Sequence, residues 1–404
     1  MRALAAGLVV SPGTAAAAYR ALQARGVIAS DGRRGTIVRH APTVVRSMAR
    51  AEVPPGLRDL IDGNPDRTLL PPLSSALDRL PRDTMMYGGR ALDAELETLA
   101  SASLRADGVR AHEIVMANGA LDAIERALGV QVRPGDRVAV EDPVYPPHLD
   151  LLGAMGLIAE PVAIDRFGMR PELLARALQR GACAIIATPR AQNPTGAAFD
   201  HERQAALRAI LDEHPQVFVI EDDHAWLVAG VAYRTLCKAR ERWFVVRSFS
   251  KAFGPDLRVA FASGDATTIS RFRGRQQLGA GWVSHISQSI ARMLWVEPGT
   301  ERLIEHASRL YAQRRSALVG AFAAEGIVVG GASGFACWVP VSDEARAVVA
   351  LRDAGFAVAP GQRFRIHAPP GIRISIARLD VDDAPAIART VAASERATAS
   401  TRST

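Results

Sequence analysis

A chain of 404 residues that is 48% hydrophobic and 23% charged is too long for one ordinary domain and too apolar to stay disordered, so two or more compact units with sizeable cores are expected. Its formal charge of +7 is uneven, because residues 1–50 hold eight arginines against the lone acid Asp31 and the remainder is neutral; an anionic partner such as nucleic acid is therefore expected at the N-terminus. The three cysteines, Cys183, Cys237 and Cys337, lack the spacing of a disulfide framework or a zinc site, which fits a reducing, cytoplasmic compartment, and no apolar run reaches the roughly 18 residues a membrane span needs.

Residues 2–7 read as a short helix, and Ser11-Pro12 as the N-cap and first position of a second one over residues 13–25, with Ala15, Ala18, Tyr19 and Leu22 on one face. Gly26 ends it, and residues 27–38 read as two short strands joined by an Asp31-Gly32-Arg33-Arg34 turn. Ser11-Pro12-Gly13-Thr14, Tyr19-Arg20-Ala21-Leu22, Arg25-Gly26-Val27-Ile28 and Gly32-Arg33-Arg34-Gly35-Thr36-Ile37-Val38 resemble the second half of a GntR-type winged helix-turn-helix. That resemblance implies a DNA reader over residues 1–39, with Ser11, Thr14, Arg20, Arg33 and Arg34 at the nucleic acid. The family's first helix would precede Arg2, so the reader is expected to be incomplete.

Residues 40–55 are polar, Pro-bearing and without periodicity, hence a linker. From residue 56 the chain alternates short apolar strands with helical stretches, the pattern of an α/β unit with a mostly parallel sheet. Strands are expected over residues 113–117, 137–140, 158–163, 182–187, 217–220, 243–246 and 259–262, with helices such as 121–128 and 202–214 between them. We divide this part into a large unit over residues 56–269 and a smaller α+β unit over 270–393, followed by a Ser/Thr-rich tail, 394–404, expected to be disordered.

Only two of the 49 basic residues are lysines, Lys238 and Lys251. A lysine amine can be deprotonated and attack a carbonyl, which a guanidinium cannot do, so a lysine retained in an arginine-rich chain is a candidate for chemistry. Lys251 follows a predicted strand, with Ser248 three residues before it and Arg258 seven after, two groups suited to a phosphate. This is what a Schiff-base lysine in a pyridoxal phosphate pocket requires. Asp222, at the end of the run Val219-Ile220-Glu221-Asp222-Asp223-His224, could accept a pyridinium N–H. Asn118-Gly119-Ala120 opens a helix after a strand, where backbone N–H groups bind phosphate. Lys238 has no such constellation and reads as surface charge.

These runs, with Glu141-Asp142-Pro143-Val144-Tyr145 and Asn193-Pro194-Thr195-Gly196, occur in an order that resembles fold type I pyridoxal phosphate enzymes, the class I/II aminotransferases. The resemblance implies that Lys251 binds the cofactor covalently, Asp222 pairs with its ring nitrogen, Asn193 with its ring oxygen, and Tyr145 packs on the ring. It further implies that Asn118, Gly119, Ala120, Ser248 and Arg258 hold the phosphate, that Tyr87 reaches a neighbouring subunit's phosphate in a homodimer, and that Arg373 grips a carboxylate. Arg363, Arg365 and Arg378 lie near enough in sequence to stand in for Arg373. Three positions depart from the pattern: Ala120-Leu121 where hydroxyl residues are common, His224 where a tyrosine is common, with the imidazole free to bond the ring oxygen, and Pro146-Pro147 where some relatives carry a substrate-binding arginine.

A GntR-like reader joined to an aminotransferase-like unit resembles the MocR subfamily of transcription regulators. That resemblance implies a DNA-binding protein that senses pyridoxal phosphate, or an amine or amino-acid ligand, through an aldimine at Lys251. The alternative is a working aminotransferase acting on an amino acid and a 2-oxo acid.

Overall fold

The structure is a computed structural model and describes residues 2–24, 28–30, 35–38, 53–83, 85–111 and 113–402. Helices α1 (Arg2–Gly7) and α2 (Pro12–Ala24) are followed by β1 (Ile28–Ser30) and β2 (Thr36–Val38), which pair antiparallel with Ser30 opposite Thr36. Ser11 caps α2 as its sequence position predicts, its Oγ accepting from the Thr14 N–H at 3.0 Å. Residues 31–34 of the expected turn, with Arg33 and Arg34, and residues 40–52 of the expected linker lie outside the described residues.

Next come β3 (Arg58–Asp59), α3 (Ser74–Leu77), α4 (Ala94–Ala106), β4 (Val115–Ala117), α5 (Ala120–Gln131), β5 (Arg137–Asp142), α6 (Pro146–Ala154), β6 (Ile158–Asp165), β7 (Gly168–Met169) and α7 (Pro171–Gln179). They are followed by β8 (Ala182–Ala187), α8 (His201–Asp212), β9 (Phe218–Asp223), β10 (Trp243–Ser248), α9 (Ser250–Phe253), β11 (Ala260–Gly264) and α10 (Ala266–Gln277). One eight-stranded sheet collects these in the order β4-β11-β10-β9-β8-β5-β6-β7. The run β10, β9, β8, β5, β6 is parallel throughout, while β11 and β7 run antiparallel to their neighbours. Sequence explains the arrangement: β8 and β9 open on near-continuous apolar runs, as strands covered by helices on both faces must. Polar residues gather at the strand ends, as Glu141-Asp142, Glu221-Asp222-Asp223 and Arg247-Ser248, and all of these are buried. In an open α/β sheet the crevice beyond the carboxyl ends of the strands is where ligands bind.

The helices start where short acidic side chains can cap them: Asp93, Asp200 and Asp265 each accept from the backbone N–H three residues on, in α4, α8 and α10. Helix α10 runs through residues 269 and 270, so the boundary expected there falls inside a continuous helix.

The remaining chain forms α11 (His285–Val296), α12 (Thr300–Ala324), β12 (Ala336–Pro340), α13 (Glu344–Asp353), β13 (Phe356–Ala357), β14 (Ala359–Pro360), β15 (Gly371–Ser375) and α14 (Ala384–Arg402). Strands β12, β15 and β14 make a three-stranded antiparallel sheet, and β13 pairs in parallel with β3. Residues 58–59 thus pair with the C-terminal part of the chain and not with the eight-stranded sheet. The expected disordered tail is corrected: α14 continues through Arg402, because Ser394 and Thr398 are buried and the Glu395 carboxylate accepts from the Ser342 N–H at 3.0 Å and the Ser342 hydroxyl at 2.6 Å. Among the described residues no helix is long and apolar enough to cross a membrane.

Candidate cofactor and ligand site

Lys251 is the second residue of α9, immediately beyond β10, and its Nζ donates to the Gly63 carbonyl at 2.6 Å. Burial, reinforced by the positive charge of Arg373, lowers its pKa to about 8, against the opposing pull of Asp62 and Asp222. A substantial neutral fraction is therefore present near physiological pH, the form that attacks carbonyls.

Asp222, at the end of β9, is 4% exposed. Its Oδ1 has no hydrogen-bond partner in the structure, and its Oδ2 lies 3.3 Å from Nε2 of His148, a nitrogen equally without hydrogen-bond geometry to any acceptor. Leaving a buried carboxylate oxygen unpaired costs about 1–3 kcal/mol or more. A ring N–H placed at Oδ1 would remove that cost. Tyr145, at the N-cap of α6, meets His148 edge to face at 5.5 Å, and burial together with the Asp222 charge raises its phenol pKa. His224, half-buried after β9, has its imidazole pKa lowered by burial; Asp222 opposes this and Lys251 adds to it.

The Asn118-Gly119-Ala120 segment enters the twelve-residue helix α5 with Gly119 at φ +100°, a conformation that excludes most side chains. A Cβ there would fall 2.5 Å from Nη2 of Arg258, so only glycine leaves that guanidinium its place over the helix N-terminus. Arg258 itself adopts φ +50° and donates from Nη2 to the Asn118 carbonyl at 2.8 Å. Ser248 and Ser250 share a hydroxyl hydrogen bond at 3.0 Å and complete a set of donors suited to a phosphate dianion.

Arg373, on β15, is 4% exposed; its Nε donates to Asn193 Oδ1 at 2.9 Å and its Nη1 to the Ile61 carbonyl at 2.8 Å. Burial lowers its pKa to about 10, which leaves it protonated at neutral pH. Its sequence neighbours are engaged elsewhere or face water: Arg365 pairs with Glu344 at 2.8 Å, Arg378 with Asp59 and Asp62 at 3.2 and 3.3 Å, and Arg363 is exposed.

The structure thus brings Lys251, Asp222, Asn193, Tyr145, His224, Asn118, Gly119, Ala120, Ser248, Arg258 and Arg373 to one end of the sheet. Tyr87, whose expected place is a neighbouring subunit's phosphate, presents a ring that is 90% exposed, edge-on to Trp282 at 5.4 Å. Ser11 and Thr14 hydrogen-bond each other's hydroxyls at 2.8 Å and stay exposed at the start of α2.

Three participants escape the sequence reading. His148 stands three residues after Tyr145 on α6, a spacing that places both at the helix start, and that spacing was the available signal. Ile61 and Gly63 act through backbone carbonyls, which no residue type announces. A pyridoxal phosphate fits this donor set: an unpaired carboxylate oxygen for its ring nitrogen, a glycine-floored cradle beside an arginine for its phosphate, and a lysine of lowered pKa for its carbonyl.

Known proteins resemble the chain in sequence and in fold. The aminotransferase class I and II family profile matches residues 66–391. The vitamin B6 salvage pathway transcriptional repressor PtsJ of Salmonella typhimurium is 38% identical over 383 residues, 94% of this chain and 89% of that protein. The HTH-type transcriptional regulator TauR of Rhodobacter capsulatus is 27% identical over 62% of this chain and 53% of its own length. Among solved structures, the kynurenine aminotransferase of Pyrococcus horikoshii superposes with a TM-score of 0.77 at 20% identity, covering 85% of this chain and 91% of that one. The aspartate aminotransferase of Thermus thermophilus with maleate gives 0.73 at 23%, covering 84% and 92%.

Proposed function

This chain belongs to the aminotransferase class I and II family, and from that membership and the chemistry of its pocket we propose that it is a pyridoxal phosphate-binding transcription regulator, acting in the cytoplasm as a homodimer. The observation that carries the regulatory half is the match to a transcriptional repressor over 94% of the chain, an extent that necessarily includes part of residues 1–50, where the net charge resides. The family profile, in contrast, begins only at residue 66.

Pyridoxal phosphate, when bound, supplies a carbonyl for amine capture and an electron sink. The chain's own residues do the rest. Lys251 presents a partly neutral amine within a buried pocket. Asp222, kept from water and left with an open acceptor, holds a proton-bearing ring nitrogen. The N-terminus of α5, Arg258 and Ser248 bind the phosphate, and Tyr145 closes one ring face. Asn193 bonds the cofactor's ring oxygen and steadies Arg373, which takes the carboxylate of an amino-acid ligand. Vitamin B6 itself, as pyridoxal phosphate, is the signal favoured by the likeness to a vitamin B6 salvage repressor. Arginines of residues 1–39 contact DNA phosphates.

The test is direct. Purified protein titrated with pyridoxal phosphate should gain a visible absorption band that Lys251→Ala lacks, and its affinity for DNA upstream of its own gene should change when the band forms. A band without any DNA binding, accompanied by steady keto-acid release from an amino-acid donor, would replace this reading by the aminotransferase one, which the complete set of Lys251, Asp222, Asn193 and Arg373 also favours.

A further inference from the structure

The two cations that would meet a ligand, Lys251 and Arg373, are both held by carbonyls of one short segment. Lys251 Nζ donates to the Gly63 carbonyl at 2.6 Å and Arg373 Nη1 to the Ile61 carbonyl at 2.8 Å. The segment also lies close: a Cβ on Gly63 would sit 3.1 Å from Arg373 Nη2. Upstream it is tied to the C-terminal part of the chain by backbone bonds, Arg58 N to Gly355 O and Leu60 N to Ala357 O at 2.9 Å and Ser375 N to Leu60 O at 2.8 Å, and by the ion pairs of Arg58 with Asp383 and of Asp59 and Asp62 with Arg378 at 3.2 and 3.3 Å. Downstream it is anchored at Asp66, whose N–H donates to the Tyr311 hydroxyl and whose carboxylate takes Arg314, both at 3.0 Å. Between these anchors, Ile61 and Gly63 meet the site through carbonyls.

A ligand carboxylate on the Arg373 fork offers a charged acceptor where Ile61 offers a neutral one, and charge-assisted hydrogen bonds are roughly twice as strong as neutral ones. A group held at Lys251 Nζ likewise competes with the Gly63 carbonyl. Ligand and segment therefore compete for the same two nitrogens, Lys251 Nζ and Arg373 Nη1, and such competition supplies the differential affinity that a ligand needs to shift a conformational equilibrium. In sequence this segment stands between the N-terminal reader and the family-matched part of the chain that begins at residue 66.

We propose that residues 58–64 are a ligand-displaced strap: occupancy of Lys251 and Arg373 releases the Gly63 and Ile61 carbonyls, and the released strap transmits occupancy to the DNA-reading segment that precedes it. The proposal rests on reading the chain as a pyridoxal phosphate-binding regulator. The ligand's carboxylate is called for by the Arg373 guanidinium, and its amine by the carbonyl of the pyridoxal phosphate that Lys251 would hold.

The full-length chain can be followed by amide hydrogen exchange, free, with pyridoxal phosphate, and with pyridoxal phosphate plus L-alanine, with occupancy read from the visible band of the same samples. Peptides covering residues 58–64 should exchange faster once the band is present and about tenfold faster than in the free chain with L-alanine added, while those of β9 stay unchanged. A band with unchanged or slowed exchange in residues 58–64 overturns the strap. Absence of the band overturns the cofactor reading and the strap with it, so absorbance tells the two failures apart. Transmission is tested by Arg58→Cys with Phe356→Cys, a pair directly opposite in register on β3 and β13. The oxidised protein should keep the visible band yet lose the ligand response of its DNA affinity, and reduction should restore it. An oxidised protein whose DNA affinity still responds overturns the transmission.

Discussion

At the residue scale, the pocket is defined by groups held in costly states. Lys251, with its pKa lowered to about 8, is about one-tenth neutral at pH 7 and mostly neutral at pH 9. The rate of pyridoxal phosphate capture by the free protein should therefore rise about tenfold between these pH values and level off above pH 8, as followed by stopped-flow absorbance. Arg373→Met removes the like charge that helps hold the lysine down, so the plateau should move to higher pH. Asp222 gives the complementary prediction. Its Oδ1 is buried without a partner, so Asp222→Ala should leave the ligand-free protein at least as stable in thermal unfolding while weakening cofactor binding by about a hundredfold or more. A large loss of stability in the ligand-free variant would show that the carboxylate is structural. Arg190 and Arg247 illustrate the contrast: both bind the buried Asp223, at 2.8 and 2.9 Å, and so satisfy their charges within the fold.

At the element scale, two carboxylates fix the loop that feeds β15 and hence Arg373. Asp142, at the end of β5 and 3% exposed, accepts the N–H groups of Ile366, His367 and Ala368 at 2.9, 2.7 and 2.8 Å. Glu344 accepts from Gln362 N at 2.7 Å, from Gly371 N at 3.2 Å and from Arg365. Asp142→Asn turns one acceptor of a buried carboxylate into a donor facing three N–H groups, so it should cost about 2–4 kcal/mol in urea unfolding and weaken amino-acid binding more than cofactor binding. Glu344→Gln, more open to water, should cost less.

These elements also show what a sequence reveals. The apolar run of β8 is bounded in the structure by the same residues, 182 and 187, that its composition suggests, because a strand buried on both faces has no polar position to blur its ends. Lys251, Asp222 and Arg258 were legible because their side chains have few alternative uses at strand ends. The strap carbonyls and the Asp142 latch were not, since a backbone acceptor leaves no residue signature and an aspartate before proline resembles any turn. The Ser/Thr-rich end of α14 misled for a related reason. Its polarity suggested disorder, whereas its alanines favour helix and its burial is supplied by residues about fifty positions away in sequence.

At the scale of the whole molecule, charge and cofactor chemistry occupy different parts of the chain. The net +7 is confined to residues 1–50, whereas residues 51–404 balance to zero and carry every group of the pocket. DNA affinity should accordingly be electrostatic and separable from cofactor binding. A chain beginning at Val53 should retain the visible band of bound pyridoxal phosphate and lose measurable DNA binding. For the full chain, log K against log salt should fall linearly, and Arg33→Ala or Arg34→Ala should each reduce that slope by about one per chain if the side chain neutralises a phosphate. A slope unaffected by either change would place the contact elsewhere among the N-terminal arginines. A truncated chain that binds DNA as tightly as the full one would remove the reader from residues 1–52 altogether, and with it the reason for the charge asymmetry.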